Sequence, residues 1–157
     1  MRLYSSMRPH LSLCLQVAGA AAAAGRHLGE VAAAACAAAD GLKSMGAALT
    51  TCSLPGATEA PDGPAAGEME LGLGIHGEPG ATRCAAMSSK ATVEHLLGAV
   101  LAALSPGGGR GASMRADERV ALMVNNLGGS TTMELFIVAR DALTLLAGAA
   151  SVLTWPP

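Results

Sequence analysis

Residues 69–80 constrain this chain more than any other stretch. Met69, Leu71, Leu73 and Ile75 are apolar, and Glu70, Gly72 and Gly74 stand between them. Period two is the signature of a strand with one face buried. The alternation runs into His76-Gly77-Glu78-Pro79-Gly80, which must turn. After it, Val93, Leu96, Leu97, Val100, Leu101 and Leu104 recur at helical spacing as one apolar stripe. Ser89 is the expected N-cap.

A strand and a helix follow again, without any visible sequence repeat. Ser105–Gly111 (SPGGGRG) reads as a flexible connector. Arg119–Val124 reads as a strand, and Asn125-Asn126-Leu127-Gly128-Gly129 as turn chemistry. Thr131-Thr132-Met133-Glu134 fits a capping box opening a last helix through Phe136, Ile137, Arg140, Leu143 and Leu146. Strand, helix, strand, helix predicts an α/β fold with a mainly parallel sheet flanked by helices. Upstream, residues 15–43 are alanine-rich and free of proline, which favours helix, with Gly25 as a place to split it. Ala48–Leu54 is a short β-prone run stopped by Pro55-Gly56, and residues 55–67 form a surface loop.

Composition narrows the function. Of the 157 residues 34 are alanine, and Tyr4, Phe136 and Trp155 are the aromatics. The formal net charge is -2. Neither a basic excess nor a stacking platform exists for nucleic acid. The apolar fraction of 51% argues against wholesale disorder. Cys14, Cys36, Cys52 and Cys84 are too scattered for a zinc finger and read as small buried hydrophobes. No apolar run is long enough to span a bilayer, and the expected location is the cytoplasm. The first 29 residues hold Arg2, Arg8 and Arg26 and no acid, a composition shared with transit peptides. Residues 17–45 nevertheless read as part of the domain, leaving 1–16 as an unassigned extension.

In a parallel sheet, loops at strand carboxyl ends gather into the working site. The turns 76–80 and 125–129 would then share an edge. His76 is the centre of interest, because Gly74, Gly77 and Gly80 let a ligand approach the backbone and a neutral imidazole can serve as base, ligand or nucleophile. The plain alternative is a loop histidine with one structural hydrogen bond. Three rival readings compete. Gly72–Gly77 is a literal GxGxxG with Glu94 near the acidic position of a dinucleotide fingerprint, but Glu78 stands where pyrophosphate would sit and the helix starts late. His76-Gly77-Glu78 matches half of a zinc deaminase signature whose PCxxC half is missing. A metal pair of His76 with His95 has no support from spacing. His95 reads as a solvated flank, His10 and His27 as isolated, and Asn125 and Asn126 as turn residues first.

Glu70–Gly80 (ELGLGIHGEPG) resembles the signature of the substrate-binding K domain of dihydroxyacetone (glycerone) kinases. Ser44–Gly56, Val120–Glu134 with its VNNLGG, and Val17–Ala39 resemble neighbouring pieces in the family's order. The resemblance covers residues 17–147, a partial DhaK-type α/β domain, with 148–157 as a divergent tail. It implies that His76 is catalytic, adding to the ketone carbon of dihydroxyacetone to form a covalent hemiaminal, with Gly77 and Glu78 beside it in the substrate site. An imidazole nitrogen adds to a carbonyl and not to an alcohol, so capture would separate a short ketose from glycerol. The resemblance also implies phosphorylation to dihydroxyacetone phosphate. ATP and Mg would reside on a separate L domain, or a phosphorylated partner subunit would be the donor. The family's GGGSGHEP-type loop and acidic base are not in this sequence. The chain is therefore expected to be a fragment, truncated or degenerate, with little turnover alone. The alternatives are a non-catalytic interaction module, or a nucleotide-cofactor protein using GLGIHG. Open sheet edges imply oligomerisation or poor solubility.

Overall fold

The computed structural model describes residues 11–50, 55–56, 63–73, 80–104, 119–126 and 128–147, and the backbone of 7–10 and 151–153. Two helices open the chain, α1 (Met7–Ala23) and α2 (Leu28–Asp40). Gly25 divides them, at φ 75°, a left-handed conformation that a side chain would strain. α1 begins well before Val17 and packs against α2. His27 caps α2, a role its apparent isolation in the sequence hid. Its Nδ1 accepts from the Glu30 N–H at 3.3 Å while the Glu30 carboxylate accepts from the His27 N–H at 3.2 Å. That is a capping box with histidine in the place of serine or threonine.

Three short strands follow as β1 (Ala47–Ala48), β2 (Glu68–Leu71) and β3 (Thr82–Ala85), with β2 in the centre. Both pairings are antiparallel, which corrects the expectation of a mainly parallel sheet. The physical reason is the connection. Only residues 72–81 link β2 to β3, whereas a parallel crossover needs about a dozen residues or more. β3 was absent from the sequence reading, because Thr82-Arg83-Cys84-Ala85 carries no apolar alternation.

The parallel pairing lies elsewhere. β4 (Arg119–Ala121) pairs with β5 (Ser151–Leu153) across the intervening α4 (Thr132–Ala147). Residues 148–157 thus include a strand that continues the α/β pattern. α3 (Ser89–Leu104) packs on α4, and α4 on β5. The α/β class holds, built from an antiparallel and a parallel ladder.

The described core is small. Met69 and Leu71 of β2, Val93 of α3, and Ala142 and Leu146 of α4 are its buried apolar residues. The Thr92 hydroxyl reaches the Met69 sulfur at 3.9 Å, tying α3 to the central strand. Ser88, not Ser89, caps α3, receiving the Ala91 N–H at 3.3 Å. Thr131 caps α4 as expected: its hydroxyl accepts from the Glu134 N–H at 3.3 Å, and the Glu134 carboxylate accepts from the Thr131 N–H at 2.7 Å. Phe136, on α4, is 71% exposed. The cysteines depart from their expected burial: Cys14 and Cys84 are half-buried and Cys36 is exposed. No helix among the described residues is long and apolar enough to cross a membrane.

Candidate functional site

The candidate site is the β2–β3 hairpin. His76, Gly77 and Glu78 lie outside the described residues, but both ends of their loop are defined. At the first end, Gly72 closes β2 at φ 75° and donates its N–H to the Gly46 carbonyl at 2.7 Å. A Cβ there would stand 3.2 Å from the Ala81 Cβ. At the second end, a Cβ on Gly80 would collide with the Glu70 Cγ and lie 2.7 Å from the Leu71 carbonyl oxygen. Both glycines are required by the close approach of the two strand ends.

Glu70 explains why. Sequence alternation put it on the solvated face, yet Met69, Glu70 and Leu71 are all buried. Glu70 is 4% exposed. Its Oε1 accepts from the Gly80 N–H at 2.8 Å and faces the Arg83 Nε at 3.4 Å. Arg83 is also its cross-strand partner in the ladder. A buried carboxylate without such donors would be strongly destabilising. Here one oxygen joins the end of β2, the return point of the loop and the start of β3. Sequence reasoning missed this residue. The available signal was an acid inside an apolar strand with a glycine and an arginine ten and thirteen residues on.

The other expected site residues separate from this hairpin. The turns 76–80 and 125–129 were expected to share one edge through a parallel β2–β4 pair, but β2 and β4 belong to different ladders. Asn126 spends both ends of its amide on the turn. Its Oδ1 accepts from the Gly128 N–H at 2.8 Å, and its Nδ2 donates to the Ser130 carbonyl at 2.8 Å. His95 is exposed on α3. The dinucleotide reading fails on topology, since Gly72–Gly77 leads into β3 and not into the helix N-terminus that pyrophosphate requires. Among the described residues, no three His, Cys, Asp or Glu side chains converge to hold a metal.

A separate cleft of about 510 Å³ runs between α3 and α4, lined by Lys90, Glu94, Arg140, Asp141, Thr144 and Leu145. Arg140 is committed to Asp141, with Nη2 2.6 Å and Nε 2.9 Å from Oδ1. The Arg140 guanidinium holds the Asp141 carboxyl below the usual carboxylate range.

Comparison with known proteins bears out the resemblance. The Dak1 domain matches residues 11–154. The dihydroxyacetone kinase of Citrobacter freundii is 40% identical over 98 residues, 62% of this chain and 16% of that protein. The triokinase/FMN cyclase of Mus musculus is 38% identical over 134 residues, 85% of this chain and 22% of that protein. The chain thus spans about a fifth of the length of such relatives. Among solved structures, the C. freundii dihydroxyacetone kinase in its native form superposes with a TM-score of 0.73 at 32% identity, covering 94% of this chain and 26% of that one. The dihydroxyacetone kinase operon co-activator Dha-DhaQ superposes at 0.75 with 27% identity, covering 89% of this chain and 41% of that one. With the family model matched over most of its length, the chain belongs to the Dak1 domain family.

Proposed function

We propose that this chain is the ketone-capturing part of a dihydroxyacetone kinase, with His76 as its covalent anchor. The observation that carries this reading is the intact GIHGEPG segment inside a Dak1 match that spans most of the chain. A ring nitrogen of neutral His76 attacks the ketone carbon. The C–O π pair moves to oxygen, which takes a proton, and the ring N–H proton is released, so the product is a neutral hemiaminal. The bond discriminates by chemistry: glycerol has no carbonyl to receive the lone pair. Gly77 leaves room beside the adduct, and Glu78 supplies an acceptor for the substrate hydroxyls.

The captured ketose is then phosphorylated to dihydroxyacetone phosphate. As the family resemblance implies, ATP and Mg are assigned to an L domain or a phosphoryl-donor subunit outside this chain. Precedents are a C. freundii dihydroxyacetone kinase solved in complex with AMP-PNP and Mg2+, and a dihydroxyacetone-binding subunit of a PTS-dependent kinase in Listeria innocua, 32% identical over 134 residues. The reading also places the protein in the cytoplasm. A second reading, a non-catalytic interaction module, is favoured by the likeness to the operon co-activator.

The test is adduct detection. Dihydroxyacetone is added, and the reversible adduct is read without any reduction step by native mass spectrometry of the intact protein. A mass increase that is absent in His76→Ala supports capture. A folded protein with no adduct refutes it and leaves the interaction module.

A further inference from the structure

We propose that Glu70 is a positioning residue for His76, setting ketone capture through the return point of the loop and not by touching the substrate. The inference rests on the capture reading above and adds to it a residue with a different job. Glu70 is the one buried charged side chain among the described residues. Its Oε1 takes the Gly80 N–H at 2.8 Å and the Arg83 Nε at 3.4 Å. The Gly72 N–H is fixed independently, on the Gly46 carbonyl at 2.7 Å. The segment that bears His76 is therefore anchored at one end by a backbone hydrogen bond and at the other by a carboxylate.

This arrangement is more than the hairpin needs. The β2–β3 register from Glu68↔Ala85 to Leu71↔Thr82 already aligns the strands. Nothing in a plain hairpin calls for a buried carboxylate on the strand leading into its loop, and an apolar residue would cover the same face at lower desolvation cost. What the carboxylate adds is directional: a charge-assisted hydrogen bond that fixes Gly80, four residues from His76, in one place. Small displacements of a reacting group cost rate and affinity steeply, which is the ordinary reason to support a reactive side chain from behind. The fit at Gly80 leaves no slack, since even a methyl group there would collide with the Glu70 stem.

The experiment titrates [2-13C]dihydroxyacetone into the full chain and follows the labelled carbon from carbonyl to hemiaminal by NMR, beside a thermal melt of each variant. Glu70→Ala is expected to weaken capture at least tenfold. Glu70→Gln keeps an oxygen for the Gly80 N–H and is expected to stay within about threefold of wild type. Val93→Ala removes a buried side chain of α3, the helix whose Thr92 reaches Met69 of the same strand, without touching the anchor, and is expected to capture within about twofold of wild type despite a comparable loss in melting temperature. Should Glu70→Ala not fold, the length-matched Glu70→Met takes its place with the same expected tenfold loss. The proposal is overturned if Glu70→Ala or Glu70→Met captures like wild type, if Gln does no better than Ala, or if Val93→Ala weakens capture equally. A wild type that folds and forms no adduct overturns the capture reading itself, and this inference with it.

Discussion

Leu71→Ala is the sharpest test of where the core lies. Leu71 is 1% exposed, in the central strand, paired with Ala47 on one side and Thr82 on the other. Truncation to alanine removes the equivalent of three methyl or methylene groups. At about 0.8 kcal/mol each, transfer alone costs about 2.4 kcal/mol. β1 and β3 hold the backbone in place, so the site collapses little and a cavity term adds to this, giving about 3–4 kcal/mol within the usual Leu→Ala range. Phe136 provides the control. It is the larger side chain and lies on the apolar stripe of its helix, yet it is 71% exposed, so Phe136→Ala is expected within about 0.5 kcal/mol of wild type. The assay is urea unfolding followed by far-UV circular dichroism, accepting only variants whose m-value matches wild type. Equal losses for the two variants, or a larger loss for Phe136→Ala, would refute the placement of the core on β2.

Other expectations follow from single contacts. Gly72→Ala forces alanine to φ 75° and against Ala81, and is expected to cost about 1–2 kcal/mol by the same urea assay. Thr131→Ala removes the hydroxyl that receives the Glu134 N–H and is expected to cost about 1 kcal/mol. The Thr131 backbone N–H, then its hydroxyl, hold the Glu134 carboxyl below its ordinary 4.5. A lowered folded-state value stabilises above the unfolded value and is lost as pH falls through the folded one. Acid titration of wild type against Glu134→Gln is therefore expected to show the wild type losing its advantage below about pH 4.5, and parallel curves would contradict the cap. Brief alkylation followed by peptide mapping is expected to modify the exposed Cys36 ahead of the half-buried Cys14 and Cys84.

The sequence was most legible where local chemistry decides the outcome. Thr131 and Glu134 announced their capping box, Gly25 its break, and Val93 its buried stripe. Legibility failed where the answer depended on what came next in space. The parallel sheet was expected because strand–helix–strand order usually signals a crossover, but β3, which carries no apolar alternation, takes the edge of β2 as an antiparallel hairpin partner and β4 pairs with β5 instead. Phe136 lies 71% exposed on α4 while Leu146 of the same helix is buried, because a helix span alone does not say which part of it is covered. His27 looked isolated because histidine is an uncommon cap, although its spacing to Glu30 matched the box. The resemblance to dihydroxyacetone kinases added what periodicity lacked, and the match over residues 11–154 upholds it.

Glu70 shows how such a failure becomes informative. A strand with a half-buried face places its polar residues in water, and local preference and global fold then agree. Here they disagree at one position. The acid enters the interior, where it meets two donors spaced for it at Gly80 and Arg83. Disagreements of this kind are expected where a fold gives up local consistency for function. The same few ångströms hold two glycines that admit no side chain, so the conflict is confined to the neck of one loop. The charge and the glycines therefore share a single physical cause: a hairpin closed tightly at its base, which the proposal above links to the histidine its loop carries. Capture by Glu70→Gln and Glu70→Ala separates that cause from mere strand stability, because the two substitutions differ in the acceptor they leave for Gly80.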